Sequence, residues 1–175
     1  MATTLSAEPL RNRLAAFDGN AVSYLSELQA QDPDPETLTE RLIQVLGDAD
    51  EMVQRGATWI LFDQMKAGAS ISEADWRRIA DRVIPIGDWQ AALHLLQMLS
   101  FQSPPADTSK QFADFAAPYL EHKRPFLRAW SISALVTLAS EDSELTETAR
   151  KAVQIGLADP AASVRARARK VEVPA

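Results

Sequence analysis

The sequence predicts an all-α chain, an α-solenoid of about four helical hairpins behind an N-terminal helical cap. Three observations carry this. Apolar residues recur at helical spacing, as in Leu42, Ile43 and Leu46, or Phe112, Phe115, Ala116, Tyr119 and Leu120, and none of these stretches alternates like a strand. Four of the six glycines (Gly47, Gly68, Gly87, Gly156) sit at or beside the ends of apolar runs, where helices commonly stop. Finally, Leu46, Val83, Leu120 and Leu157 follow one another at intervals of 37 residues, which marks an internal repeat.

The elements follow in order. Residues 1–33 form the cap, with helices expected from Ala7 to Phe17 and from Ala21 to Ala30, broken around Asp18-Gly19-Asn20. An end of a helical stack exposes an apolar layer, and Glu8, Arg11, Arg13 and Glu27 can give the cap a polar outer side. Hairpins are expected over 35–67, 72–102, 106–140 and 143–171. Asp34-Pro35-Glu36, Ser72-Glu73-Ala74-Asp75 and Ser143-Glu144 place capping side chains and early acids at helix starts. Each repeat has a short turn containing Asp48, Asp88, Lys123 or Asp159, then a second helix opening at Val53, Trp89, Leu127 or Val164. Trp89 stands one residue early, as though its turn were shortened. Ser103-Pro104-Pro105-Ala106-Asp107 is a rigid loop between units, and Val171 to Ala175 should fray.

The second helices repeat their chemistry: Val53-Gln54-Arg55-Gly56-Ala57, Trp89-Gln90-Ala91-Ala92-Leu93, Leu127-Arg128-Ala129-Trp130-Ser131 and Val164-Arg165-Ala166-Arg167-Ala168. A bulky apolar residue precedes a long polar one, with a small residue usually three or four places on that allows close helix approach. This pattern resembles HEAT repeats, above all in Asp159-Pro160-Ala161-Ala162-Ser163-Val164-Arg165, over roughly residues 35 to 171. The third turn, Lys123-Arg124-Pro125, departs from it by lacking the acid. The resemblance implies a right-handed superhelix whose second helices line the inner face. It also implies a structural ladder between turn aspartates and Gln54, Gln90, Arg128 and Arg165.

Composition narrows the function. With no cysteine and two histidines, the chain has no thiolate chemistry and little material for a metal site, and no Gly-rich phosphate loop or nucleophile elbow appears. No catalytic residue, cofactor or metal ligand is therefore assigned. The absence of a long apolar run and of a secretory-type start gives a cytoplasmic, non-membrane expectation. The net charge of -6 argues against nucleic acid and favours a protein partner, a basic one by overall charge, with homo-oligomerisation left open. The charge is polarised: residues 1–122 hold 18 acids against 9 Lys plus Arg, a net of -9, and residues 123–175 hold 6 against 9, a net of +3.

Counting one and five places from each opener gives Gln54 and Thr58, Gln90 and His94, Arg128 and Ile132, and Arg165 and Arg169. Together with Arg55 and Trp59 these are the expected partner-binding stripe of a non-enzymatic adaptor or scaffold, with offsets zero, four and seven as core. The alternative is an enzyme. HEAT-like alkylpurine DNA glycosylases hold a damaged nucleotide with aromatics and an aspartate, roles that Trp59 and Asp63, four apart on one helix, would take here; HEAT-like repeats also occur in bilin lyases.

Overall fold

The computed structural model describes residues 7–175, so residues 1–6 of the expected cap lie outside the described residues. The chain is all-helical: among the described residues there are ten α-helices, with 3-10 turns at Ala106–Thr108, Ala117–Glu121 and Ser143–Leu145. The helices are α1 (Glu8–Ala15), α2 (Val22–Ala30), α3 (Pro35–Gln44), α4 (Glu51–Lys66), α5 (Glu73–Ala80), α6 (Trp89–Phe101), α7 (Ser109–Ala116), α8 (Pro125–Glu141), α9 (Thr146–Leu157) and α10 (Ala162–Ala168). Among the described residues no helix is long and apolar enough to cross a membrane.

Local chemistry sets the helix starts. Asp50 accepts the Met52 amide, Ser72 the Asp75 amide and Asp88 the Ala91 amide, each filling one amide position that a helix N-terminus leaves open. Two expected starts are built differently. Asp34 makes no side-chain cap; instead Asp32 accepts the Asp34 amide and is ion-paired with Arg41, which also donates to the Asp34 carbonyl at 2.8 Å. At the last hairpin the acceptor is Asp142, which takes the Glu144 amide and opens a 3-10 turn before α9 begins at Thr146.

Packing runs in chain order. The long helices α4, α6 and α8 form a row that the short α10 continues, α4 on α6, α6 on α8 and α8 on α10, while α1, α2 and α3 pack on α4, and α7 and α9 on α8. Small residues allow the close approaches: a methyl at Gly56 would meet Leu14 of α1 at 2.8 Å and Leu25 of α2 at 3.2 Å. Trp76 of α5 and Phe112 of α7 meet edge to face, 5.5 Å between ring centres, and join the outer helices to the core.

The four residues spaced by 37 fall at different distances from the preceding helix: Leu157 is the last residue of α9, Leu46 and Val83 stand two and three places past α3 and α5, and Leu120 lies in the 3-10 turn after α7; their burial differs too. Leu46 and Val83 are fully buried, Leu120 is half-buried and Leu157 is 45% exposed. Equal spacing in the chain does not fix burial, which depends on what packs over each residue.

Candidate partner-binding face

The turns before the second helices are tied together by arginine–aspartate pairs. Arg128 of α8 grips Asp159 with Nε and Nη2 at 2.7 and 2.9 Å, and its Nη1 donates to its own turn's carbonyls, His122 at 2.8 Å and Lys123 at 3.3 Å. Arg55 of α4 does the same to Asp88, and Arg11 of α1 to Asp48 at 2.8 and 3.1 Å. Gln54 stitches the second junction further: its amide donates to the Asp48 and Pro85 carbonyls and its oxygen accepts the Gly87 and Asp88 amides. The guanidinium partners hold the Asp48 and Asp159 carboxyls below their ordinary proton affinity. Of the four residues expected to form the ladder only Arg128 meets a turn carboxylate: Gln54 binds turn backbone, Arg165 holds the Asp159 and Pro160 carbonyls, and Gln90 meets no turn aspartate among the described residues, while Arg55 and Arg11 supply the other two arginine–aspartate pairs.

At the α6–α8 junction the turn residue is Lys123, and a different contact takes over. Arg124 lies over the Trp89 ring at 3.8 Å, and at the next junction Arg167 of α10 lies over Trp130 of α8 at 3.9 Å. A cation over an indole is attracted by its negative face while its free donors stay turned to solvent or to a ligand.

The register of α6 corrects the expected stripe. Val53, Leu127 and Val164 are each the third residue of their helix and fully buried. Because Asp88 is the N-cap, Trp89 is the first residue of α6 and the third is Ala91, also fully buried. The counterparts of Gln54 and Thr58 are therefore the buried Ala92 and Leu96, not Gln90 and His94. Gln90 and His94 are half-buried at other phases of the helix.

Three further stripe residues are covered. Gln54 is consumed by turn backbone, Thr58 is fully buried with its hydroxyl donating toward the Gln54 carbonyl at 2.9 Å, and Ile132 is 1% exposed in the core. None of the three offers surface to a partner. Arg55 and Arg128 are committed to Asp88 and Asp159, and Trp59 is half-buried against the core. Arg165 holds its own turn's carbonyls, and Arg169 is exposed.

What the row does expose is aromatic and cationic. Phe101 is 55% and Phe126 65% exposed; Arg124 is exposed, and Trp89 and Trp130 are half-exposed beneath their arginines. Phe101 lies 5.8 Å from Phe62, which stacks on His94 at 5.7 Å, so the aromatic surface runs from α4 onto α6. Sequence reasoning passed over these residues because aromatics at helical spacing read as core. The available signal was Phe126 directly before a buried third-position leucine, a phase that holds Met52, Gln90 and Ser163 in the other helices.

His94 bridges α4 and α6. Its Nδ1 lies 3.0 Å from the Thr58 hydroxyl oxygen, which is also within 2.9 and 3.1 Å of the Gln54 and Arg55 carbonyls. Burial pushes its proton affinity down to about 4 from the ordinary 6.5, with Arg55 and Lys66 pushing the same way and Asp88 opposing. Between these values the unfolded chain binds a proton that the folded one does not. Stability from this group is complete above pH 6.5 and is lost as pH falls toward 4, by at most about 1.4 kcal/mol per pH unit. Urea unfolding at stepped pH should show this slope in the natural chain and a smaller one in His94→Gln, the remainder coming from His122, which burial and the neighbouring Lys123, Arg124 and Arg128 also hold below its ordinary proton affinity. The Asp48 and Asp159 contributions fade only below the ordinary carboxylate value of 3.8, outside that window.

Asp63 pairs with Lys66 at 3.3 Å and lines an open cleft with Ser26, Gln29, Pro35, Leu38 and Gln64, and Trp59 is not among the lining residues. Comparison with family models, curated proteins and solved structures finds no match.

Proposed function

We propose that the chain is a HEAT-like helical solenoid acting as a non-enzymatic adaptor, and that a partner protein binds the exposed side of α6, α8 and α10. The observation that carries this is that α6 and α8 leave Phe101 and Phe126 exposed and Trp89 and Trp130 half-exposed, each tryptophan under an arginine. Aromatic and arginine side chains dominate the energetically important centres of protein interfaces, and here they are spread over successive helices on a preformed frame. Lys123, Arg124 and Arg167 make this region locally cationic, so an acidic partner segment fits it better than the basic partner that the overall charge favours.

The test is affinity capture followed by reconstitution. A protein recovered with the natural chain is purified and titrated against an Arg124→Glu, Phe126→Ser variant, whose folding is checked by circular dichroism. Neither side chain is in the core, so the variant should fold and bind at least about tenfold more weakly. Equal affinity would refute the reading.

A further inference from the structure

Arg128 and Arg165 hold one pose with different outcomes. In each, Nη1 donates to the carbonyls six and five residues back: His122 and Lys123 for Arg128, and Asp159 at 2.7 Å and Pro160 at 2.8 Å for Arg165. That grip aims the Nε–Nη2 edge away from its own turn. For Arg128 the edge meets the Asp159 carboxylate; for Arg165 it meets no carboxylate among the described residues.

The converse stands at the other end of the chain. Asp48 and Asp159 each use Oδ1 to accept the amide two residues on, at 2.9 and 2.8 Å, and present the carboxylate to an arginine. Asp18 has the same turn geometry, its Oδ1 accepting the Asn20 and Ala21 amides at 2.8 Å each. It is exposed, and among the described residues it has no ion-pair partner. The chain therefore carries a ladder arginine without its aspartate and a turn aspartate without its arginine, both already oriented.

Their surroundings match in kind. Val22, beside Asp18, is 47% exposed; Ile155 and Leu157, just before the Asp159 turn that Arg165 holds, are 50% and 45% exposed. These are three of the six large apolar side chains left exposed among the described residues. The charge asymmetry between the two parts of the chain, -9 against +3, favours bringing the ends of two copies together.

We propose that copies of this chain associate head to tail, with Arg165 of one copy forming a bidentate pair with Asp18 of the next and with Ile155 and Leu157 meeting Val22. Such a contact joins two different surfaces, so it leaves one free donor and one free acceptor end and propagates. Fixed carbonyl and amide partners orient both charged groups before contact, which lowers the ordering cost of association.

Sedimentation velocity of the natural chain over a hundredfold concentration range at low salt should show a weight-average mass that rises with concentration and falls when salt is added. Asp18→Asn keeps the turn acceptor and Arg165→Gln keeps a donor; each alone should associate at least about tenfold more weakly, with helical content unchanged. Mixed in equal amounts, the two variants should form a dimer and nothing larger, because each retains one intact end. A natural chain that stays monomeric throughout, an association that neither variant weakens, or a mixture that behaves as the variants do separately would overturn the proposal.

Discussion

Asp88→Ala is expected to lower the free energy of unfolding by about 3–5 kcal/mol, measured by urea titration followed at the helical circular-dichroism band. The Asp88 side chain is 1% exposed and has two roles: it caps α6 through the Ala91 amide, and it neutralises Arg55, itself only 16% exposed. Loss of a cap alone costs about 1 kcal/mol. The larger part comes from leaving a guanidinium in a low-dielectric junction without its counter-charge. Replacing both residues, Arg55→Met with Asp88→Ala, should recover much of the loss, since the stranded charge is then gone. Asp48→Ala should cost less, because that carboxylate is 18% exposed and water can replace part of the protein contact. A loss below about 1 kcal/mol for Asp88→Ala would mean that the junction is not sealed as described.

Gly156→Val is the second large effect, about 3 kcal/mol or more. The glycine lies in α9 where that helix is closest to α8 and α10. A methyl there would overlap the Ile132 side chain and come within 2.9 Å of the Ala168 Cβ. The isoleucine end can rotate, but an alanine Cβ moves only with its helix, so relief requires α10 to shift. The gain in helix propensity over glycine, below about 1 kcal/mol, cannot offset this. Gly47→Ala is the control: its nearest new neighbour would be Pro85 at 3.5 Å, an ordinary contact, and the change should stay within about 0.5 kcal/mol.

Much of the helical layout was legible in the sequence because apolar spacing and capping chemistry are local. The Ser72 cap and the acids around Asp48 and Asp50 stand at real helix starts, and the glycine at 47 falls just past the end of α3. The binding stripe was not legible in the same way. It depended on knowing the phase of α6, and the aligned apolar ends count residues without recording which one the N-cap makes first. With Asp88 as that cap, Ala91 takes the buried third place and the expected phase of Gln90 and His94 is lost.

A second limit is that polarity in a sequence does not distinguish solvent from backbone as the partner. Gln54 looks like a surface residue, yet shortening the second turn brings carbonyls and amides to it that need pairing, and it is buried doing so. Phe126 was not singled out in the sequence at all, since one exposed apolar residue beside a helix start carries no local signal of its own, and its 65% exposure is what marks it. The acid missing at Lys123 was visible, but its consequence, arginine on tryptophan instead of arginine on aspartate, needed the distances.

The exposed side of α6 and α8 is the proposed meeting place with a partner protein. A photo-reactive amino acid introduced singly at Phe101, Phe126, Glu40 and Lys151, with irradiation in the native cell, tests it most directly. Phe101, Phe126 and Lys151 are exposed and Glu40 is half-buried, paired with Arg78; Glu40 and Lys151 stand on α3 and α9. One shared cross-linked partner is expected from Phe101 and Phe126 and none from Glu40 or Lys151. Adducts from the outer helices alone would contradict it.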